Sequence, residues 1–163
     1  MTYRRIAALL IAGLLVAGSA FARGKKINRS ELPAAVERTL QLNSQGAAVK
    51  HLSQENENGQ IFYKAKMKVD GRSKEVLINA NGDVLRAKEK VPIDRIPAEV
   101  RAEIEARAGF LGHIAEVDSI TKNYRLVAYE ARVEKPVFFV PGLAVVSSTV
   151  QVAADGKKLD HKE

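Results

Sequence analysis

The chain has 163 residues, 46% of them apolar, with 26 Lys and Arg against 19 Asp and Glu and no Cys. That apolar share excludes wholesale disorder, and the missing cysteines exclude disulfides, thiolate metal sites and cysteine nucleophiles. Two arginines fall in a segment expected to be removed, leaving 24 basic residues against 19 acidic ones, a net +5. Four of those positive charges crowd into residues 23–29, so the remainder is nearly neutral and lacks the basic face a nucleic-acid partner requires.

The first predicted element is an export signal. Arg4 and Arg5 supply a short positive start, residues 6–17 are an apolar run, and Ala20-Phe21-Ala22 is an A-x-A cleavage pattern. Cleavage after Ala22 leaves 141 residues, with no transmembrane segment and a periplasmic or secreted destination. The alternative is a retained helical anchor, but residues 6–22 number only 17 and include two Gly and a Ser. No Cys follows the small residues, which excludes the lipid-anchored form of the signal. A basic tail, residues 23–29, comes next.

The folded part opens with a helix. Pro33 suits a first helical position, where its missing N–H costs nothing, and Leu32, Val36 and Leu40 recur at i, i+4 and i+8. Gly46 stops it. Residues 48–55 and 61–69 read as strands joined by a polar turn at 56–59. Along 61–69 the alternation is strict. Ile61, Tyr63, Ala65, Met67 and Val69 face one way, Phe62, Lys64, Lys66 and Lys68 the other. Asp70-Gly71 and Asn81-Gly82 then turn the chain into residues 74–80 and 84–88, as such dipeptides do in hairpins.

The same series returns. Leu32-Pro33-Ala34-Ala35-Val36 reappears as Ile96-Pro97-Ala98-Glu99-Val100, and Tyr63-Lys64-Ala65-Lys66 as Tyr129-Glu130-Ala131-Arg132. Val76, Ile78, Ala80 and Gly82 reappear as Val150, Val152, Ala154 and Gly156. The offset grows from 64 to 66 and then jumps to 74, so one insertion of eight residues lies between Val133 and Val150. The expected fold class is α+β: tandem α-β-β-β(-β) repeats, each an antiparallel sheet with one helix on one face, over residues 30–90 and 91–163. The two sheets are expected to join into one continuous or saddle-like surface.

A signal, two helices opening with [LI]-P-x-x-V, a Y-x-A strand in each copy and closing turns at Asn81-Gly82 and Asp155-Gly156 together resemble the PepSY-like family. This family is also called β-lactamase-inhibitor-like. The resemblance covers residues 32–159, and its specificity lies in the order and duplication of short motifs. It implies an extracytoplasmic, non-catalytic module that binds and blocks a hydrolase or peptidase. The inhibitor carries disulfides and this chain has no Cys, and the insertion in the second copy is a further departure.

Residue chemistry points away from an enzyme. His51 aligns with Glu116 and His113 with Ala48, so the copies share no histidine, and with His161 they offer no metal-binding spacing. There is no nucleophile elbow or phosphate loop. Residues 77–88 superficially match a calcium loop, but Leu77 and Lys88 occupy the first and twelfth positions, and a hairpin turn explains the segment better. No catalytic residue, metal ligand or cofactor is expected.

The candidate partner-binding residues are Lys64, Lys66, Lys68, Phe138 and Phe139. The lysine stripe is either a solvated face kept soluble by charge or a surface that steers an acidic partner, and its second-copy counterparts are Glu130, Arg132 and Glu134. The insertion, residues 136–146, is an apolar hairpin with Pro141-Gly142 placed at the centre of a type II turn. It is either buried between the copies or presents Phe138 and Phe139 to a partner. Tyr63 and Tyr129 read as core tyrosines with hydroxyls at the rim. The reading is a non-catalytic binding protein for an unidentified protein partner, an inhibitor or regulator of an extracytoplasmic hydrolase or peptidase. Its alternative is an envelope-associated module whose basic tail contacts anionic lipid or polymer. A carrier with a cleft between the copies is a third class.

Overall fold

A computed structural model describes residues 24–139 and 142–159. The export segment 1–22 and His161 lie outside the described residues. The protein is α+β, with two helices on an eight-stranded antiparallel sheet. Its strands β1 (Lys25–Lys26), β2 (Val49–Glu57), β3 (Gln60–Val69), β4 (Arg72–Asn79), β5 (Val84–Lys90), β6 (His113–Lys122), β7 (Arg125–Phe139) and β8 (Gly142–Ala153) lie side by side in sequence order. Helix α1 (Ala34–Ser44) precedes β2, and α2 (Ala98–Ala108) precedes β6. The tail expected at 23–29 is partly built in: Lys25 and Lys26 pair with Gln54 and Ser53, and Ile27 is buried.

Each helix buries one stripe, Val36, Leu40 and Ser44 in α1 and Val100, Ile104 and Ala108 in α2. The expected spacing holds, but each proline stands one residue earlier than predicted, as the residue before the helix, with ψ 144°. Extended backbone at Pro33 and Pro97 turns the chain into the helix. Left-handed Gln45 and Gly46 end α1, and Gly109 at φ 67° ends α2.

Pairing follows the period of two. Ala87 of β5 lies opposite Val76 and also opposite Thr121 of β6, and Glu89 lies opposite Lys74 and Ser119. Opposed residues of antiparallel strands share a face, so this row carries the helix side of the sheet across the β5–β6 seam. Both helices therefore cover the same face. Two apolar clusters result. One joins α1 to Leu52, Tyr63, Ala65, Met67, Val76 and Ile78; the other joins α2 to Val117, Tyr129, Ala131 and Val152. Tyr63 and Tyr129 are each 7% exposed, as expected of core tyrosines.

The closing turns are packed as the helices require. Gly82 has φ +90°, and a Cβ there would meet the Ala35 carbonyl oxygen at 2.8 Å. Thr39 Oγ1 donates to the Gly82 carbonyl at 2.6 Å. Gly156, at φ +81°, lies under α2, where an added Cβ would come within 3.0 Å of Glu99 Cγ. A side chain at Gly82 would strike backbone, so only glycine brings the turn this close to the helix.

The two-residue turns differ in one respect. Asn58-Gly59 and Asp70-Gly71 are left-handed at both positions, the geometry that matches strand twist in tight hairpins. The turn between β6 and β7 has the same signs at Asn123 (φ 47°) and Tyr124 (φ 61°), but its second residue is a tyrosine. Gly142 departs from expectation. It pairs with Phe139 as the first residue of β8 and has no left-handed φ, so it does not occupy the third position of a type II turn. The ladder simply runs on to this pair.

Candidate functional site

The sheet face away from the helices is the polar one. Lys66 lies opposite Glu75 and Glu75 opposite Lys88, while one step along β5 Lys90 lies opposite Asp118 and Asp118 opposite Glu130, so five strands contribute charged residues to this face in two staggered rows. An open depression of about 550 Å³ lies on it. Lys50, Lys66 and Lys68 line one side, and Glu116 and Asp118 line the other, with Lys88 and Glu75 between them. The depression is thus basic toward β2 and β3 and acidic toward β6.

Lys64 pairs with Glu55 at 2.5 Å, and Lys66 with Glu75 at 3.2 Å, where Arg86 also approaches. Lys68 is exposed and has no ion pair among the described residues. The stripe read from the sequence is therefore three lysines with different surroundings. Glu55 and Glu75 face it from neighbouring strands, and only the register shows that they do.

The centre of the face is a triad. Lys88 Nζ sits 2.5 Å from Glu130 Oε1 and 3.1 Å from Asp118 Oδ2, and Gln151 donates to the other Glu130 oxygen at 2.6 Å. Burial disfavours the charge on Lys88, but its bonds to Glu130 and Asp118 outweigh that and hold its pKa above the usual lysine value. The two acids move in opposite directions. Burial pushes Asp118 up more than Lys88 pulls it down. Glu130 is also penalised by burial, but bonds from Lys88 and Gln151 hold it below the usual carboxylate range. The triad pins β5 to β6 and β7 across the seam.

Phe138 lies beyond this lattice on a projecting arm. Strand β6 begins at His113, opposite Glu134, so the β7–β8 pairing from Lys135↔Val146 to Phe139↔Gly142 continues with no third strand beside β7. Pro136 is tolerated there because that edge of β7 has no ladder to feed. Lys135 Nζ donates to the Arg107 carbonyl at 3.3 Å and ties the base of the arm to α2. Phe138 is 76% exposed, and Val137, Leu143, Val145 and Val146 are exposed as well. Of the two alternatives for this hairpin, burial between the copies is not what the structure shows. Phe139 ends β7, and its side chain lies outside the described residues. Phe138 shares the helix-free face with the lysines, but it stands at the far end of the sheet from them.

His51 and His113 are exposed on different strands, and no group of three or more His, Asp or Glu could hold a metal among the described residues. The hairpin reading of the Asn79–Val84 turn is correct: Asn79 Oδ1 accepts from the Asn81 and Asp83 amides at 3.0 and 2.9 Å. A second, smaller groove of about 230 Å³ lies on the helix side over the seam, lined by Asn43, Lys74, Glu89, Ser119, Thr121 and Tyr124 among others. With Val84 and Ala87 also in its lining it is as apolar as it is polar, and it is open and small, unlike the sizeable apolar cleft a carrier would need. No helix among the described residues is long and apolar enough to cross a membrane.

No family model matches the sequence, and no curated protein matches it. Solved structures do match in shape. A candidate periplasmic protein from Bacteroides eggerthii superposes with a TM-score of 0.57, at 15% identity, over 79% of this chain and 86% of its own. A BLIP-like protein from Bacteroides fragilis gives 0.55 at 18% identity, over 80% and 85%. A DUF2874 family protein from Bacteroides ovatus gives 0.51 at 17% identity, over 79% and 85%. This chain has the fold of those proteins.

Proposed function

We propose that the chain is a non-catalytic, extracytoplasmic binding protein that recognises a protein partner through the helix-free face of its sheet. The observation that carries this reading is the depression with opposed basic and acidic walls. A surface polarised in that way orients a partner of complementary charge and speeds its capture. The export signal and the candidate periplasmic and BLIP-like structures of the same fold support the address and the absence of catalysis. The partner class we favour is a hydrolase or peptidase, which the chain inhibits or regulates. We also read the chain as a doubled PepSY-like unit. Val36 and Val100, Leu40 and Ile104, Tyr63 and Tyr129, and Ile78 and Val152 are equivalent in sequence and all buried.

The test begins with the exported protein as bait in its native extracytoplasmic fraction, followed by hydrolase and peptidase assays on what is captured. Association is then measured at low and high salt for Lys66→Glu with Lys68→Glu, leaving the Lys64–Glu55 pair intact. The expected result is inhibition by the wild type and an on-rate reduced about tenfold or more at low salt, a difference that salt erases. An on-rate unchanged at low salt would remove the face from the reading, and turnover of any substrate by the purified chain would remove the class.

A further inference from the structure

The two edges of the sheet are finished in different ways. At one edge β1 is two residues long and both are lysines, a short charged strand that discourages further pairing. At the other edge lies β8, Gly142-Leu143-Ala144-Val145-Val146-Ser147-Ser148-Thr149-Val150-Gln151-Val152-Ala153, twelve residues without one charge or proline. Its ladder with β7 runs without a bulge. From Gly142 to Thr149 nearly every residue is exposed. None of the usual protections of an open edge is present over that stretch.

The direction of its backbone groups can be read from its end. Ala153 donates outward to Lys157, whereas Ala154 donates inward to Val127. Alternate residues of a strand turn their N–H and C=O to the same side, so Leu143, Val145, Ser147, Thr149 and Gln151 turn theirs outward. The Gln151 carbonyl is already used: Arg107 Nη1 donates to it at 3.1 Å. Among the described residues, the unused outward pairs are therefore those of Leu143, Val145, Ser147 and Thr149.

We propose that two copies of this chain pair β8 to β8 antiparallel about a two-fold axis at Val146. The occupant is a second copy because these four residues form a set symmetric about Val146. Val145 meets Ser147 of the second copy, and Leu143 meets Thr149, so every unused outward group finds a partner. A two-fold centred on Ser147 would bring Leu143 onto Gln151, whose carbonyl Arg107 holds. An uncharged strand also meets an uncharged strand, with no repulsion. The axis is perpendicular to the sheet, so all four helices stay on one side and the helix-free face becomes continuous across both copies. Each arm gains a neighbour along its open edge, which explains why the insertion lengthens β8 instead of forming a loop.

Three measurements on the exported protein test this. Sedimentation across a concentration series should give a dimer mass. Val145→Lys with Thr149→Lys, both exposed side chains, should give a monomer with an unchanged circular-dichroism spectrum. The chain has no cysteine, so single replacements from Ala144 to Thr149 form a disulfide only with their own counterpart. Moving one residue off the axis separates the two copies of that residue by about 7 Å along the strands, beyond disulfide reach. Cross-linking should therefore peak at Val146→Cys and drop sharply at Val145→Cys and Ser147→Cys. A wild-type monomer at every concentration, a dimer that survives both lysines, or a yield that is flat or peaks elsewhere would each overturn the proposal. The lysine substitutions lie on β8, so a lost dimer with an intact Lys66- and Lys68-dependent on-rate separates this surface from the recognition face.

Discussion

Replacing Tyr124 with Gly should leave the protein more stable than replacing it with Ala, although both remove the aromatic ring. Tyr124 holds φ 61° in the turn between β6 and β7, a position where a Cβ crowds the backbone. The equivalent turn in the first half has Gly59 at φ 81°. Releasing a left-handed side chain gains about 1–2 kcal/mol. Against that stands the ring, which is 73% exposed and so has about a quarter of its surface to lose. Full burial of such a side chain contributes roughly 1.5–3 kcal/mol, so that quarter amounts to about 0.4–0.8 kcal/mol. Glycine also has more freedom to lose on folding, at about 0.5–1 kcal/mol, which trims the gain further. Against the wild type these ranges sum to between about −0.8 and +1.1 kcal/mol, close to balance, so the melting temperature by circular dichroism should move by only a few degrees. Tyr124→Ala is the control. It loses the ring and keeps the strained backbone, so it should melt below the wild type. If Tyr124→Gly melted no higher than Tyr124→Ala, the backbone at this position would hold no strain that glycine relieves, and the argument would fail.

Phe138→Ser should change stability little. With 76% of the residue already exposed, about 0.5 kcal/mol of burial is at stake, and lost strand propensity adds up to about 1 kcal/mol. Ile104→Ala, fully buried in the second cluster, should cost about 2–5 kcal/mol in the same urea titration. A Phe138→Ser loss equal to that of Ile104→Ala would mean the arm is packed as core. The pH dependence of Glu130→Gln follows from its lowered pKa. A carboxyl held below its ordinary range stabilises the fold at neutral pH, and that contribution disappears as pH falls through the folded-state value. Glu130 remains partly open to solvent, so screening keeps the neutral-pH cost below about 1 kcal/mol. The gap between wild type and variant should close in acid below the ordinary glutamate range, and a gap that persists there would mean the loss is one of packing. Asp118 has the opposite sign, since its raised pKa favours the fold as pH falls.

The sequence made local features legible and left distant pairings dark. Val36 and Leu40, the alternation through β3, and the Asn-Gly and Asp-Gly turns each depend on neighbours within a few residues, and period and turn chemistry report those directly. The pairing of β5 with β6 does not. Arg86–Lys90 carries no mark of Asp118–Lys122, because two half-polar strands offer many acceptable partners until the rest of the sheet limits them. The candidate site depended on that missing information. Lys64 and Lys66 could be found by spacing, but Glu55, Glu75 and Asp118 could not be placed near the lysines without the register. The apolar hairpin stays undecided in the sequence for a related reason, since an apolar run has the same appearance in a core and on a projection. The available signal was length. The insertion makes β7 fifteen residues long beside a ten-residue β6, and the excess has nothing to lie against.

Between the clusters under α1 and α2, the helix side of the seam offers Ala87, Glu89, Ser119 and Thr121, all only half-buried. Little oil fills that join. Five backbone pairings, the Lys88 contacts, the Lys90–Glu116 ion pair and the Ser119 hydroxyl on the Glu89 carbonyl hold it together. Flexing the sheet along this line leaves each oily cluster nearly undisturbed, whereas flexing it elsewhere would shear packed side chains. The halves can therefore tilt like the covers of a book, and the tilt widens or narrows the gap between the basic and acidic walls. The width of that gap is set at a spine of four half-buried residues, Ala87, Glu89, Ser119 and Thr121.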